Sequence, residues 1–200
     1  KSKTWLPQRT IKWLSRKLDI DYALLLETIK ESKQPGNSLY QTIIVKRSGK
    51  KRKINVPNKD LMAIQKKISR RILAKFPRHE NSFGFSGGSI ADAIGVHLKG
   101  RGKRSIWTCD LKDAFPSMFR ERTLGVFKSH FSDSASQMLT LLTTLPLGQL
   151  PQGAPTSPRI FDLCMRVLDR EFSKLAESCK GRYSRYADNL FFSGKKETFG

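Results

Sequence analysis

Arg182-Tyr-Ser-Arg-Tyr-Ala-Asp-Asn-Leu-Phe-Phe-Ser193 is the stretch of sequence from which the fold is best predicted. Aromatic residues favour strands and Asp-Asn favours a turn, so the stretch predicts two short strands joined by a tight turn. Asp188 would then lie at the tip of a hairpin with apolar strands on both sides. A carboxylate in such a place is costly unless a cation binds it. The simpler alternative is a surface hairpin whose Asp and Asn only satisfy the turn.

A second acid follows another predicted strand earlier in the chain. Ser105-Ile-Trp-Thr-Cys109 predicts a buried strand, and Asp110 closes it before a turn through residues 111–119. A strand end is a precise place for a carboxylate, although Asp110 could instead cap the next helix. If the two strands are neighbours in one sheet, Asp110 and Asp188 meet at one spot, and a crossing helix covers the other face.

The composition indicates a polyanionic partner. The chain has 200 residues, with 38 Lys and Arg against 17 Asp and Glu, and a net charge of +21. Such an excess is typical of nucleic-acid binding, with a generally basic surface as the alternative. The length fits one large domain or two small lobes. No apolar run approaches the ~18 residues of a membrane span, so we expect no membrane partner and a cytoplasmic protein.

Two carboxylates in so basic a chain suggest a pair of metal ions. Mg²⁺ is held by few carboxylates together with substrate phosphates. Two such ions about 3.5–4 Å apart would activate an attacking 3′-hydroxyl and stabilise a leaving pyrophosphate. We therefore expect Mg²⁺, with Mn²⁺ as a substitute.

The remaining helices and strands are predicted from the spacing of apolar residues and from the Pro and Gly residues that end each element. Residues 1–33 are helical, with Asp19 or Asp21 capping the second helix. Residues 39–56 form a hairpin whose turn, residues 46–53, is mostly basic and is either a solvated loop or a phosphate-gripping flap. Further helices are predicted over 60–75, 89–94, 124–131, 135–145 and 157–176. The last of these should bury Ile160, Cys164, Val167, Leu168, Phe172 and Leu175.

Several motifs together resemble those of reverse transcriptases, in family order and at family-like spacing. They are Lys51-Arg-Lys-Ile-Asn-Val-Pro57 with Ile64-Gln65, Phe83-Gly-Phe-Ser-Gly-Gly-Ser89, Cys109-Asp-Leu-Lys-Asp-Ala-Phe-Pro-Ser117, Pro151-Gln-Gly-Ala-Pro-Thr-Ser-Pro158 and Tyr186-Ala-Asp-Asn189. The resemblance covers roughly residues 40–195 and is strongest to bacterial retron, group II intron and related defence reverse transcriptases. Pro-Gln-Gly and Tyr-x-Asp are specific only in combination.

The resemblance implies an α+β, right-hand polymerase with an antiparallel palm sheet packed on helices. It implies a helical extension over 1–38, fingers over 39–98 and a palm over 99–200 that includes some fingers segments. The expected activity is RNA-directed DNA synthesis from dNTPs on an RNA template with a DNA or RNA primer. A dedicated structured noncoding RNA is a further expected partner.

The resemblance also assigns roles to particular residues. Asp110, Asp188 and Asn189 would be the catalytic residues, and Asp110 and Asp188 would bind metal together with the Leu111 carbonyl. Phe115 matches the steric gate against a 2′-hydroxyl, with a core Phe as the alternative. The remaining expected nucleotide contacts are Lys46 and Arg52 to phosphates, the amides of Asp113 and Ala114 to the triphosphate, and Gln152 and Gly153 to nucleotide and template.

Three features depart from the family pattern. Asn189 stands where a second Asp is usual, which removes one negative charge; the sequence leaves open whether it is natural or introduced. Gly88 stands where Arg is common. The motifs and thumb expected after the palm lie beyond residue 200, and the first residue is Lys1 rather than Met, so we expect a piece of a longer chain. A maturase-like RNA-binding module with weakened catalysis is the alternative function.

Overall fold

The computed structural model describes residues 7–34, 36–47, 50–85, 87–99 and 105–195. The chain divides into two compact units, each built from two segments. The first unit comprises Lys1–Lys75 and Phe115–Ile160, and the second comprises Phe76–Ala114 and Phe161–Gly200. The proposed boundaries of helical extension, fingers and palm stay a prediction.

Seven α-helices and five strands lie in the described residues. The helices are α1 (Gln8–Leu18), α2 (Tyr22–Ser32), α3 (Lys59–Arg71), α4 (Ile90–Leu98), α5 (Arg120–Lys128), α6 (Asp133–Thr143) and α7 (Ser157–Ser178). The strands are β1 (Tyr40–Arg47), β2 (Lys50–Pro57), β3 (Ser105–Asp110), β4 (Arg182–Tyr186) and β5 (Asn189–Gly194). Among the described helices, none combines the length and the apolar character needed to cross a bilayer.

The first unit is a helical core with a two-stranded ribbon. Ile11, Leu14 and Leu18 recur at helical spacing on α1 and are fully buried, as the periodicity predicts. Of the two candidate caps for α2, Asp21 is the one used, since its carboxylate accepts a hydrogen bond from the Leu24 N–H at 3.0 Å. Asp19 ends α1 in the left-handed conformation, with φ 57°.

The β1–β2 ribbon is longer than the sequence predicts. Residues 46–47 and 50–53 belong to the strands rather than to a basic turn, and residues 48–49 lie outside the described part. Lys46 lies directly opposite Lys51, and Arg52 lies opposite Val45. Repulsion between the two lysines disfavours this pairing, but the ladder continues past it to Arg47 opposite Lys50.

The second unit is a three-stranded antiparallel sheet in the order β3-β5-β4. Helix α4 covers one face, where the buried His97 ring bonds to the hydroxyls of Ser193 at 2.7 Å and Ser184 at 2.8 Å. Residues 161–178 of α7 cover the other face, where Ala176, Tyr183 and Leu190 form a buried cluster. Both described sheets are antiparallel, and the predicted α+β class, with a palm sheet packed on helices, is confirmed.

Three predicted details of the elements are wrong. Strand β3 is not buried, since most of its residues are exposed, among them Ile106 at 43%. Helix α4 ends at Leu98 rather than at the predicted residue 94. Ser89 and Asp92 form a capping box at its N-terminus. Helices α5 and α6 begin four and two residues before their predicted starts at residues 124 and 135.

The buried face of α7 also differs from the prediction. Ile160 is buried as expected, but Val167 and Leu175 are 58% and 59% exposed. Leu168 is likewise exposed, and Cys164 and Phe172 are only partly buried. Asp162 and Asp169 are buried in their place. A positive partner on β4 makes this possible, because a buried carboxylate is tolerated only when it is paired.

Candidate active site

The hairpin that carries Asp188 has a two-residue turn. Strand β4 ends at Tyr186 and β5 begins at Asn189, which lies directly opposite Tyr186. The turn is therefore Ala187-Asp188, one residue earlier than the predicted Asp-Asn turn. Of its two residues only Ala187 has a positive φ, 55°. A positive φ at the first central residue is typical of a type II′ turn, a position that usually holds Gly.

The register of the sheet brings the two predicted acids to one end. Asp110 lies directly opposite Asn189 across the β3–β5 pair, so their side chains share a face of the sheet. The Leu111 N–H donates to the Asp188 carbonyl at 3.0 Å. The Asn189 amide nitrogen donates to Asp188 Oδ1 at 3.4 Å. Asp110, Leu111, Asp188 and Asn189 thus lie at the same end of the sheet, because β3 and β5 are neighbours. Their roles in metal binding stay a prediction.

This set of groups suits a hard divalent cation. Carboxylate, carbonyl and amide oxygens are the ligands that Mg²⁺ and Mn²⁺ prefer. Within the described part of the chain there is no cluster of three or more His, Cys, Asp or Glu residues that could hold a metal by itself. Two carboxylates fit a Mg²⁺ ion whose remaining ligands are water and substrate phosphates. The residues therefore fit the predicted cation.

The segment after Asp110 is a series of turns. Asp113 is exposed with φ 50°, and Ala114 is buried. Phe115 is partly exposed, and its carbonyl accepts from the Met118 N–H at 3.1 Å. Asp110 does not cap a helix, because α5 begins only at Arg120. Phe115 begins the later segment of the first unit, whereas Asp113 and Ala114 belong to the second.

The predicted nucleotide contacts in the first unit gather beside β2. The Gln152 carbonyl accepts from the Asn55 N–H at 2.7 Å. Gly153 has φ 117°, and a Cβ there would lie 2.6 Å from Ile54 Cγ2. Arg52 is two residues from Ile54, so its side chain is on the same face of the ribbon.

Lys46 does not share that face. It lies opposite Lys51, and alternation places this pair on the face away from Ile54 and Arg52. Both Lys46 and Arg52 are exposed. The ribbon therefore separates the two predicted phosphate contacts, and only Arg52 is on the side of Gln152 and Gly153.

Gly88, the residue that stands where Arg is common, packs closely against Phe83 of the same loop. A Cβ at Gly88 would come within 2.7 Å of the Phe83 carbonyl oxygen. A side chain at this position is excluded unless the backbone at Phe83 or at Gly88 shifts. The loop is therefore shaped for glycine where the family commonly has Arg.

A buried ionic cluster next to the hairpin turn was missed by sequence reasoning. Arg185 is fully buried, and its guanidinium binds both Asp169 carboxylate oxygens at 2.7 Å. It also donates to Asp162 at 2.9 Å and to the Ser82 hydroxyl at 3.0 Å. The Tyr183 hydroxyl donates to Asp169 at 2.7 Å. This bidentate, fully satisfied arrangement is the condition under which buried charges are tolerated.

The surroundings favour a charged Arg185 and a neutral Tyr183. Burial acts to lower the pKa of Arg185, but the hydrogen bonds and charges of Asp169 and Asp162 outweigh it and raise that pKa. Burial, followed by the charge of Asp169, raises the pKa of Tyr183 above its ordinary value. Tyr183 therefore stays protonated and keeps donating to Asp169 across the neutral pH range.

One signal in the sequence could have revealed the cluster. Asp162 and Asp169 are seven residues apart, and the same helical face carries Met165 and Ala176, which are both buried. Two acids on an apolar face indicate a buried cation elsewhere in the chain. Sequence alone does not identify Arg185 as that cation, because Arg182 on the same strand is an equal candidate.

Comparisons with known proteins agree with the motifs. A family model described as "Reverse transcriptase (RNA-dependent DNA polymerase)" matches residues 44–198. The chain is 36% identical to the Retron Mx162 reverse transcriptase of Myxococcus xanthus, over 76% of this chain and 35% of that protein. It is 32% identical to the Retron Mx65 reverse transcriptase of the same organism, over 80% and 41%. It is 31% identical to the Retron Ec86 reverse transcriptase of Escherichia coli, over 85% and 53%.

The matched region spans only about a third to a half of the length of these curated relatives. The family model nevertheless covers more than half of this chain, and it includes every motif on which the resemblance rests. The predicted resemblance to reverse transcriptases of the retron type is therefore confirmed, and the chain belongs to the reverse transcriptase family.

Proposed function

We propose that this chain is the fingers and palm of an RNA-directed DNA polymerase. It would add dNTPs to the 3′-hydroxyl of a DNA or RNA primer on an RNA template. The single observation that carries the proposal is the sheet register, which sets Asp110 opposite Asn189 and next to Asp188. The net charge of +21 supports a nucleic-acid partner, and a dedicated structured noncoding RNA is a further proposed partner.

The proposed metal site consists of Asp110, Asp188 and the Leu111 carbonyl, with Asn189 beside them. Mg²⁺ bound there, or Mn²⁺ in its place, would supply positive charge for an in-line displacement at phosphorus. The chain's own contribution is to hold the carboxylates at one sheet end and to position the substrates.

The proposed nucleotide contacts follow from family membership and from the observed faces. The amides of Asp113 and Ala114 are proposed to contact the triphosphate, and Gln152 and Gly153 the nucleotide and template. Arg52 is the stronger candidate for a phosphate contact, because its guanidinium can bind phosphate bidentately and it shares a ribbon face with Ile54. Lys46 on the other face is proposed to contact phosphate of the nucleic acid backbone instead.

The test is RNA-templated primer extension by the full-length protein, with and without Asn189→Asp. We expect both proteins to extend with dNTPs, and the variant to reach half-maximal rate at a Mg²⁺ concentration about tenfold lower. An added carboxylate attracts a divalent ion strongly, and 1.4 kcal/mol is a tenfold change in affinity. If only the Asn189→Asp variant extends the primer, the residue at position 189 decides whether the polymerase is active.

The second candidate function is a maturase-like RNA-binding module with weakened catalysis. It is favoured by Asn189, a neutral amide that donates to Asp188 Oδ1 at 3.4 Å and brings no negative charge to the proposed metal site. If neither protein extends a primer but RNA still binds in a salt-dependent way, this function replaces the first. A binding module should not depend on Asp188, whereas a polymerase should.

Phe115 provides a test of sugar selection. If its ring excludes a 2′-hydroxyl, Phe115→Ala should raise ribonucleotide incorporation relative to deoxynucleotide by at least about tenfold, the effect of 1.4 kcal/mol of lost discrimination. The measurement is single-nucleotide incorporation of matched NTP and dNTP. Phe119→Ala is the matched control, since Phe119 is a nearby ring that is 50% exposed. Equal ratios in the two variants would remove the gate role.

A further inference from the structure

The turn that carries Asp188 is strained. Ala187 has φ 55°, a conformation that a non-glycine residue adopts at a cost. Such a turn persists when its surroundings impose it. Nothing in the local sequence Tyr186-Ala-Asp-Asn189 supplies a glycine to relieve it. The contacts around Ala187 therefore decide how the Asp188 carboxylate is held.

The first of these contacts comes from Gly84. A Cβ added at Gly84 would overlap the backbone nitrogen of Ala187 and would lie 2.7 Å from its Cα. The neighbouring atoms are main chain and cannot swing aside as a flexible side chain could. The backbones of Gly84 and Ala187 thus approach as closely as only a glycine permits.

Hydrogen bonds hold Gly84 in that place. The segment of residues 81–83 runs parallel to β4, with Ser82 bridged to Arg185. The Arg185 N–H donates to the Asn81 carbonyl at 2.8 Å, and the Phe83 N–H donates to the Arg185 carbonyl at 2.9 Å. Gly84 follows this paired segment directly, so its position against the turn is set by the sheet.

The second contact comes from the buried guanidinium. Arg185 Nη1 donates to the Ala187 carbonyl at 2.9 Å, while its other nitrogens bind Asp169, Asp162 and Ser82. Because the carboxylates of Asp169 and Asp162 on α7 fix the Arg185 guanidinium, its hydrogen bond restricts the position of the Ala187 carbonyl. The turn is therefore held on one side by backbone contact and on the other by a fixed donor.

We propose that Gly84 and Arg185 form a clamp that fixes the Ala187-Asp188 turn and so positions the Asp188 carboxylate for metal binding. The clamp rests on the proposed polymerase function. Gly84 and Arg185 are positioning residues, since they act through the turn rather than on the substrate. Gly84, the first glycine of the glycine-rich segment 83–89, would thus contribute to catalysis by positioning Asp188.

The test measures metal binding directly. Mn²⁺ is added stepwise to the full-length protein with an RNA template, a dideoxy-terminated primer and the matching dNTP. Electron paramagnetic resonance measures the free Mn²⁺ at each step. We expect Gly84→Ala to weaken Mn²⁺ binding about 10- to 100-fold, the range typical of residues that orient a metal ligand. Gly95→Ala is the matched control, because a Cβ at Gly95 in α4 meets nothing within 4 Å.

A second variant covers the case in which Gly84→Ala does not fold. Arg185→Lys keeps a positive charge near the carboxylates, but its three N–H donors lie on one nitrogen and cannot replace the five hydrogen bonds that the guanidinium makes from three nitrogens. We expect it to weaken Mn²⁺ binding at least about tenfold. Thermal unfolding of each variant identifies those that are folded.

The outcomes separate the clamp from the function on which it rests. Wild-type Mn²⁺ affinity in a folded Gly84→Ala or Arg185→Lys variant overturns the clamp, while primer extension by the unmodified protein still supports the function. An unmodified protein that neither binds Mn²⁺ nor extends a primer overturns the proposed function, and the clamp with it. Weakened binding in the two variants and unchanged binding in Gly95→Ala support the clamp.

Discussion

Asp188→Asn in the full-length protein is expected to lower RNA-templated nucleotide incorporation about 10³-fold or more, and Asp110→Asn should do the same. The proposed bound metal supplies several kcal/mol of charge stabilisation in the transition state, and each 1.36 kcal/mol is a factor of ten in rate. Asn is isosteric with Asp, so the sheet register that sets Asp110 opposite Asn189 should survive. The measurement is single-turnover primer extension with saturating dNTP and Mg²⁺.

The double variant sharpens this prediction. Residues that act as one unit have strongly non-additive effects, so Asp110→Asn with Asp188→Asn should be little slower than either single variant. Asp133→Asn is the matched control, because Asp133 is an exposed residue on α6 whose carboxylate pairs with Lys128 at 3.1 Å. Extension by Asp188→Asn within tenfold of the unmodified protein would falsify the metal-binding role.

Arg185→Met is expected to destabilise the chain by about 3–5 kcal/mol. The change leaves Asp162 and Asp169 buried without their cation, and an uncompensated buried charge has a cost of this size. Total stability is typically about 5–15 kcal/mol, so the variant should unfold at much lower urea concentration. Equilibrium urea denaturation followed by circular dichroism measures the change.

Removing the whole cluster should restore most of the loss. Replacing a buried ionic group entirely by apolar residues of similar size is often neutral or stabilising. We therefore expect Arg185→Met with Asp162→Leu and Asp169→Leu to be more stable than Arg185→Met alone. The control is Lys174→Ala, which breaks an exposed pair with Glu171 on the same helix and should cost less than about 1 kcal/mol. An Arg185→Met variant as stable as Lys174→Ala would contradict the prediction.

Local features of the chain were predictable from sequence because their causes are local. Tyr and Phe on both sides of Ala187-Asp188 favour strands, and short polar residues between them favour a turn. The spacing of Ile11, Leu14 and Leu18 predicts α1 for the same reason. The formation of this hairpin and of α1 depends on residues that are neighbours along the chain. Both elements are therefore found, with small shifts at their ends.

The buried face of α7 shows where such reasoning stops. Hydrophobicity favours Val167, Leu168 and Leu175 as the buried residues, yet they are exposed, and Asp162 and Asp169 are buried. The reversal depends on Arg185, which is 16 residues from Asp169 along the chain. A pairing between distant charges has no local signature, so only the packed structure reveals it.

The sequence by itself determined the family and the class of the fold, and it singled out the two acids of the proposed metal site. These follow from motifs in order, from strand and helix patterns, and from the excess of positive charge. The tertiary structure alone decided which residues meet: Asn189 opposite Asp110, Gly84 against Ala187, and Arg185 between Asp162 and Asp169. The physical reason is that register, close backbone approach and buried ion pairing depend on distances between segments that are far apart in sequence.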